Sequence, residues 1–276
     1  MLRRFFSLLL LITCLSSIHA ATVDTVIIYS KAMKKDIKCV VIKPAIEQDR
    51  PVSLPVVYLL HGWSGKYSNW ITKIPELKKY ADEYRLMIVC PDGDYASWYF
   101  DSPIDPSMQY ETYISKEVPG YIDAHYPTIK DRRARAITGL SMGGHGGLFL
   151  GFRHADTFGG SGSMSGGVEL HSSARFDITK LLGDSTRQPD NWKKYSVMTV
   201  VENYPKDSLA IIIDCGTEDF FYPINHELHE KMLKLKIPHD YIERPGKHDW
   251  FYWANAVKYQ LMFFRSYFDK SIVNGQ

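Results

Sequence analysis

Short runs rich in Val and Ile recur along the chain at Val26–Tyr29, Cys39–Ile42, Val56–Leu60, Leu86–Val89, Ala134–Thr138, Ala210–Asp214 and Tyr241–Glu243. Runs of this length bounded by turn residues predict strands, and those that are apolar throughout predict strands covered on both faces. Stretches with helical spacing lie between many of them. In NHELHEKMLKLK, Leu228, Met232 and Leu235 fall on one face, and Trp250, Trp253, Val257, Leu261, Phe264 and Phe268 form a longer stripe towards the end of the chain. Both stripes read as core-facing helix surfaces. Strands that alternate with helices predict an α/β fold, with a mostly parallel central sheet flanked by helices on both faces. The two closely spaced early runs predict antiparallel strands at its start. Residues 168–206, with HSSAR and GDSTRQPDN, break the alternation and read as an inserted cap or loop region.

The first twenty residues stand outside this scheme. Arg3 and Arg4 precede the apolar run FFSLLLLIT, which ends near the small-residue site IHA, and this is the signature of a secretory signal peptide. Residues 21–276 are then expected to form a single exported domain, periplasmic or extracellular. Thr13 precedes Cys14 where lipid attachment would call for a smaller residue, so anchoring as a lipoprotein is not expected. No later run reaches the roughly 20 apolar residues of a spanning helix. Arg3 and Arg4 are two of 33 basic residues, so those that remain balance the 31 acidic ones, which argues against nucleic acid as a partner. Cys39, Cys90 and Cys215 have neither CxxC spacing nor an even count, so they read as buried small hydrophobes, with room for one disulfide.

Gly139-Leu140-Ser141-Met142-Gly143 matches G-x-S-x-G, in which a strand turns abruptly into a helix and presents the serine at the apex. A β-rich run precedes it and the helix-compatible GGLFLGFRH follows. A serine hydroxyl needs a base with a pKa near ambient, held in the right tautomer by a third group. In this type of elbow an acid and then a histidine follow in chain order, each after a later strand. IIIDCGTEDF offers Asp214 at the strand end and Glu218 and Asp219 just beyond it, and spacing alone leaves the three comparable, with some preference for the loop pair. His248, in YIERPGKHDW, follows the last predicted strand. His145 and His154 lie too close to the serine to curl back over it, His226 and His229 lie on a solvated helix face, and His239 precedes a strand. For the oxyanion, the Met142 N–H is placed by position, and the loop after VVYLL offers Trp63, with Gly62 next. The segment PDGDYASWYFDSP places Tyr95, Trp98, Tyr99 and Asp101 on the same end of the sheet. Trp98 is the candidate substrate contact there, although these aromatics could equally pack the loop onto the domain. Asp92, Asp94 and Asp101 lack EF-hand spacing, and the chemistry calls for neither metal nor cofactor.

YLLHGWSG, SWYFDSP, GLSMGGHGG, CGTEDFFY and PGKHDWFYW, in this order, resemble the putative esterase family of α/β-hydrolases. That group includes tributyrin esterases, S-formylglutathione hydrolases, feruloyl and acetyl-xylan esterases of carbohydrate esterase family one, and antigen 85-like mycolyltransferases. The resemblance spans roughly residues 27–268. It implies the α/β-hydrolase fold, a triad of Ser141, Asp219 and His248, and oxyanion donors at Trp63 and Met142, and so selects Asp219 among the acids. It also implies a serine esterase acting on a small-molecule or oligosaccharide ester. The serine motif with its following His145 is similar to that of the cytoplasmic S-formylglutathione hydrolases, whereas the amino terminus reads as exported. Export favours an extracytoplasmic polymer or oligosaccharide ester. Short acyl or feruloyl esters of carbohydrates are the expected class, and the resemblance does not choose between acetyl, feruloyl and simple short-chain esters. Two other readings stay open: acyl transfer of the antigen 85 type, and a non-catalytic glycan-binding protein on a hydrolase scaffold, which would have no need for an intact serine, acid and histidine.

Overall fold

The computed structural model describes residues 20–45, 52–204 and 208–273, so the predicted signal peptide lies almost entirely outside the described residues. Among these, eight strands form one sheet: β1 (Thr22–Ser30), β2 (Lys35–Lys43), β3 (Val56–Leu60), β4 (Met87–Pro91), β5 (Arg135–Gly139), β6 (Gly160–Met164), β7 (Ala210–Gly216) and β8 (Asp240–Arg244). Their spatial order is β1-β2-β4-β3-β5-β6-β7-β8. The pairs β1/β2 and β2/β4 are antiparallel and all later neighbours are parallel, as the sequence predicts. In β3, Val56, Tyr58 and Leu60 face one apolar layer and Val57 and Leu59 the other. Period-two alternation thus explains why a wholly apolar pentapeptide serves a strand sandwiched between helices.

On one face lie the helices Leu77–Tyr84 and Trp250–Val273, and the Trp253, Val257, Leu261, Phe264 and Phe268 stripe is buried against the sheet. On the other lie Val118–His125, Met142–Arg153 and Tyr222–Lys234, the last burying Leu228 and Met232. The described part of residues 168–206 forms short helices at Ile178–Leu182, Pro189–Tyr195 and Val197–Val200, whose Ile178, Leu182 and Trp192 join the same core.

One strand escapes the sequence reading. β6 is GSGSM, with no apolar run to reveal it. Its small residues follow from the helix above it: a Cβ on Gly144 would approach Ser163 Oγ to 2.8 Å, and Gly147 lies against the Gly162 carbonyl. Strand and helix can approach this closely only if both surfaces are nearly bare. Cys39, Cys90 and Cys215 are free and buried. Cys39 faces one apolar layer and Cys90 the other, so these neighbours in adjacent strands cannot pair with one another.

His145 is buried in the elbow helix, edge-on to Trp98 and Phe100 and stacked on Phe149. Its Nε2–H donates to the Tyr195 carbonyl at 2.9 Å, tying helix to cap. Burial among apolar rings lowers the imidazole pKa to about 4. The unfolded chain takes up a proton here near the ordinary value of about 6.5 and the folded chain only near 4, so the unfolded state binds more protons between the two. Stability is therefore expected to fall with pH across that window, by about 2–3 kcal/mol between pH 7 and 4.5 from this group. Denaturant titrations of the wild type and His145→Gln at both pH values check this, and equal pH dependence of the two proteins would contradict it.

Candidate active site

The carboxyl ends of β3, β5, β7 and β8 meet at one rim of the sheet, where open α/β sheets bind ligands. At the end of β5 the chain enters the helix Met142–Arg153 through Ser141, whose φ of 55° and ψ of −116° are strained for a residue with a side chain. The surroundings hold it there. Ser141 N–H donates to the Met164 carbonyl at 2.9 Å, and its carbonyl accepts from His145 N–H at 3.0 Å. A Cβ on Gly143 would lie 2.6 Å from both the Leu60 and His61 carbonyls, and one on Gly139 2.6 Å from the Leu60 and Gly143 carbonyls. The glycines flanking the serine are thus a steric requirement of strand, turn and helix passing one another.

The loops after β7 and β8 are joined by backbone bonds from Thr217 N–H to the Arg244 carbonyl at 2.9 Å and from Glu218 N–H to the Gly246 carbonyl at 3.0 Å. This pairing brings Asp219 beside His248. His248 Nδ1 lies 2.8 Å from Asp219 Oδ2 and 3.0 Å from Oδ1, and Nε2 lies 2.9 Å from Ser141 Oγ. With Nδ1–H donating to the carboxylate, Nε2 is left to accept the serine proton. Asp219 is buried, and its Oδ1 also accepts from Phe221 N–H at 2.8 Å. The imidazole packs against Phe220, Phe221 and Trp253.

The rival acids are occupied elsewhere. Asp214 is buried within β7, bonded to the Arg244 guanidinium and the Tyr252 hydroxyl. Glu218 is exposed and lies 3.8 Å from Lys247. Of the other histidines, His154 contacts Glu111 and His226 contacts Glu243, each at 2.8 Å, and His229 lies 2.8 Å from His239.

The backbone N–H groups of Trp63 and Met142 donate to no acceptor among the described residues, and Trp63 and Ser141 line one cavity of about 450 Å³. The Gly62–Trp63 peptide is fixed by its carbonyl, which accepts from His61 Nδ1–H at 2.9 Å and Gly65 N–H at 3.0 Å. In a trans peptide this turns the Trp63 N–H the opposite way. His61 Nε2 accepts from Gly93 N–H at 2.7 Å, and burial lowers the imidazole pKa, keeping the ring in the neutral form this pair of bonds requires.

Trp98 does not line the cavity, contrary to its reading as a substrate contact. It is 1% exposed, its indole N–H donates to the Phe176 carbonyl at 2.9 Å and its backbone N–H lies 3.4 Å from Met142 Sδ. Positive φ at Trp98 and Tyr99 turns both rings into the core. The aromatic wall of the cavity comes instead from Trp63, Phe176, Phe220, Trp250 and Trp253, with Arg175 beside them. Of these, Arg175 and Phe176 escape the sequence reading because the cap sequence carries no motif, while Phe220 adjoins the candidate acid and Trp250 and Trp253 read as core.

Residues 30–264 match the family described as "Putative esterase". The chain is 26% identical over 257 residues to an acetyl esterase of Caldicellulosiruptor saccharolyticus, covering 84% of this chain and 95% of that one. It is 26% identical over 210 residues to an S-formylglutathione hydrolase of Bos taurus, covering 67% and 72% respectively. Among solved structures, a ferulic acid esterase is 30% identical with a TM-score of 0.77, covering 90% of this chain and 98% of that one. The fluorophosphonate-binding serine hydrolase FphF of Staphylococcus aureus has the same fold, with a TM-score of 0.78 at 23% identity over 90% of this chain and 99% of that one. The chain belongs to the putative esterase family of α/β-hydrolases and is a carboxylic ester hydrolase. No helix among the described residues is long and apolar enough to cross a membrane.

Proposed function

We propose that the protein is an exported serine esterase that cleaves short acyl or feruloyl esters of carbohydrates through an acyl-enzyme on Ser141. The observation that carries this reading is the hydrogen-bonded line from Asp219 through His248 to Ser141 Oγ, ending at a cavity lined in part by Trp63. His248 Nε2 takes the hydroxyl proton as Oγ attacks the ester carbonyl, and Asp219 stabilises the imidazolium that forms. The N–H groups of Trp63 and Met142 hold the developing oxyanion. His248 then protonates the leaving alcohol and deprotonates the water that releases the acid. The likeness to an acetyl esterase and a ferulic acid esterase supports the acyl classes. Arg3 and Arg4 followed by an apolar run support export.

The test is turnover of purified protein on acetyl, butyryl and feruloyl esters, including acetylated and feruloylated xylan fragments. Release of acetate or ferulate from the xylan fragments is expected at higher kcat/KM than from the simple alkyl esters. Tight glycan binding without ester cleavage would overturn the reading, and transfer of the acyl group to a competing sugar alcohol in preference to water would convert it to acyl transfer.

A further inference from the structure

Arg175 stands out among the cavity residues. Apart from the titratable His248 it is, among the described residues, the only lining residue with a charged side chain. Its guanidinium carbon lies 4.8 Å from the Phe176 ring centre and 5.0 Å from that of Phe220. Two faces of aromatic carbon therefore hold the cation at the cavity wall, and both rings line the same cavity.

The guanidinium donates no hydrogen bond and forms no ion pair among the described residues. Two ion pairs lie next to the lining residues in sequence: Lys180 with Asp177 at 2.7 Å and Lys247 with Glu218 at 3.8 Å. Asp177 also accepts the Trp63 indole N–H at 3.0 Å. A guanidinium held over aromatic rings without a hydrogen-bonded partner keeps its N–H donors free, and that fork fits the two oxygens of a carboxylate. Among the described residues no second Lys or Arg lines the cavity to match a doubly charged group.

We infer that Arg175 is a specificity-determining residue that selects esters carrying a carboxylate, so that within the proposed carbohydrate esters it favours those of acidic sugars. The inference rests on the serine-esterase reading above and goes beyond it in naming the charge of the substrate. The carboxylate enters the cavity beside the scissile ester and takes two parallel N–H···O bonds from Arg175. Binding of the anion lowers KM without altering the chemistry at Ser141.

The test compares two matched ester pairs, 4-acetoxybenzoate with 4-acetoxybenzamide, and p-nitrophenyl hemisuccinate with p-nitrophenyl butyrate, in wild type, Arg175→Gln and Arg175→Lys. The first pair places the carboxylate on the alcohol and the second on the acyl group. The ratio of anionic to neutral kcat/KM is expected to fall about tenfold in Arg175→Gln for at least one pair, mostly through KM. Arg175→Lys should restore part of it, and high salt should shrink the wild-type ratio. Neutral esters should lose far less than their anionic counterparts in both variants. Unchanged ratios in both pairs, or an equal loss on all four esters, would overturn the assignment while neutral-ester turnover leaves the esterase reading intact. Absence of wild-type turnover on all four esters would overturn both.

Discussion

Replacing Ser141 by Ala is expected to lower kcat for p-nitrophenyl acetate by roughly 10⁴–10⁶-fold while leaving the fold intact. The size follows from what the hydroxyl does. Without Oγ there is no covalent intermediate, His248 has no proton to accept from the protein, and only the oxyanion donors and binding contribute to what remains. Retention of the fold follows from the local structure. The strain at Ser141 is held by backbone bonds to Met164 and His145 and by the close passage of Gly139 and Gly143 against the end of β3, none of which involves the side chain. The melting temperature should therefore be equal to or slightly above that of the wild type. Turnover within tenfold of wild type would remove Ser141 from the mechanism.

The second large effect separates the three carboxylates. Asp219→Asn is expected to lower kcat by about 10³–10⁴-fold with little loss of stability, because an amide nitrogen facing Nδ1 favours the tautomer that puts a proton on Nε2, where the serine proton must go. Glu218→Gln, on an exposed side chain, should change kcat by less than about twofold. Asp214→Asn should act through folding, since it leaves the Arg244 guanidinium with a neutral partner at a site where the carboxylate is buried. An expected cost is about 3 kcal/mol or more, read as a lower denaturation midpoint with kcat of the folded fraction near wild type. Equal kcat losses in Asp219→Asn and Glu218→Gln would contradict this assignment.

The contrast among these acids shows where the sequence stops being informative. Spacing along IIIDCGTEDF leaves them comparable because the deciding partners are remote: Arg244 and Tyr252 claim Asp214 from 30 and 38 residues away, and His248 reaches Asp219 across 29 residues. The central strands β3, β4 and β7 are legible because their burial demands bulky side chains. β6 is invisible because the same burial, under a glycine-lined helix, demands small ones. The serine elbow is legible because steric necessity writes glycine on both sides of it. The cavity wall is the least legible part. Trp98 sits in a loop at the correct rim yet points inward, because direction depends on a positive φ that composition does not display. Phe176 and Arg175 come from a cap segment without periodicity.

The most direct measurement is peptide mapping after reaction with a p-nitrophenyl alkylphosphonate, which phosphonylates an activated hydroxyl and releases one equivalent of nitrophenol. The expected result is one adduct per chain, on the peptide containing Ser141, at a rate that collapses in His248→Ala and Asp219→Asn. Stoichiometric labelling at another residue, or a Ser141 adduct formed equally fast without His248, would contradict the account.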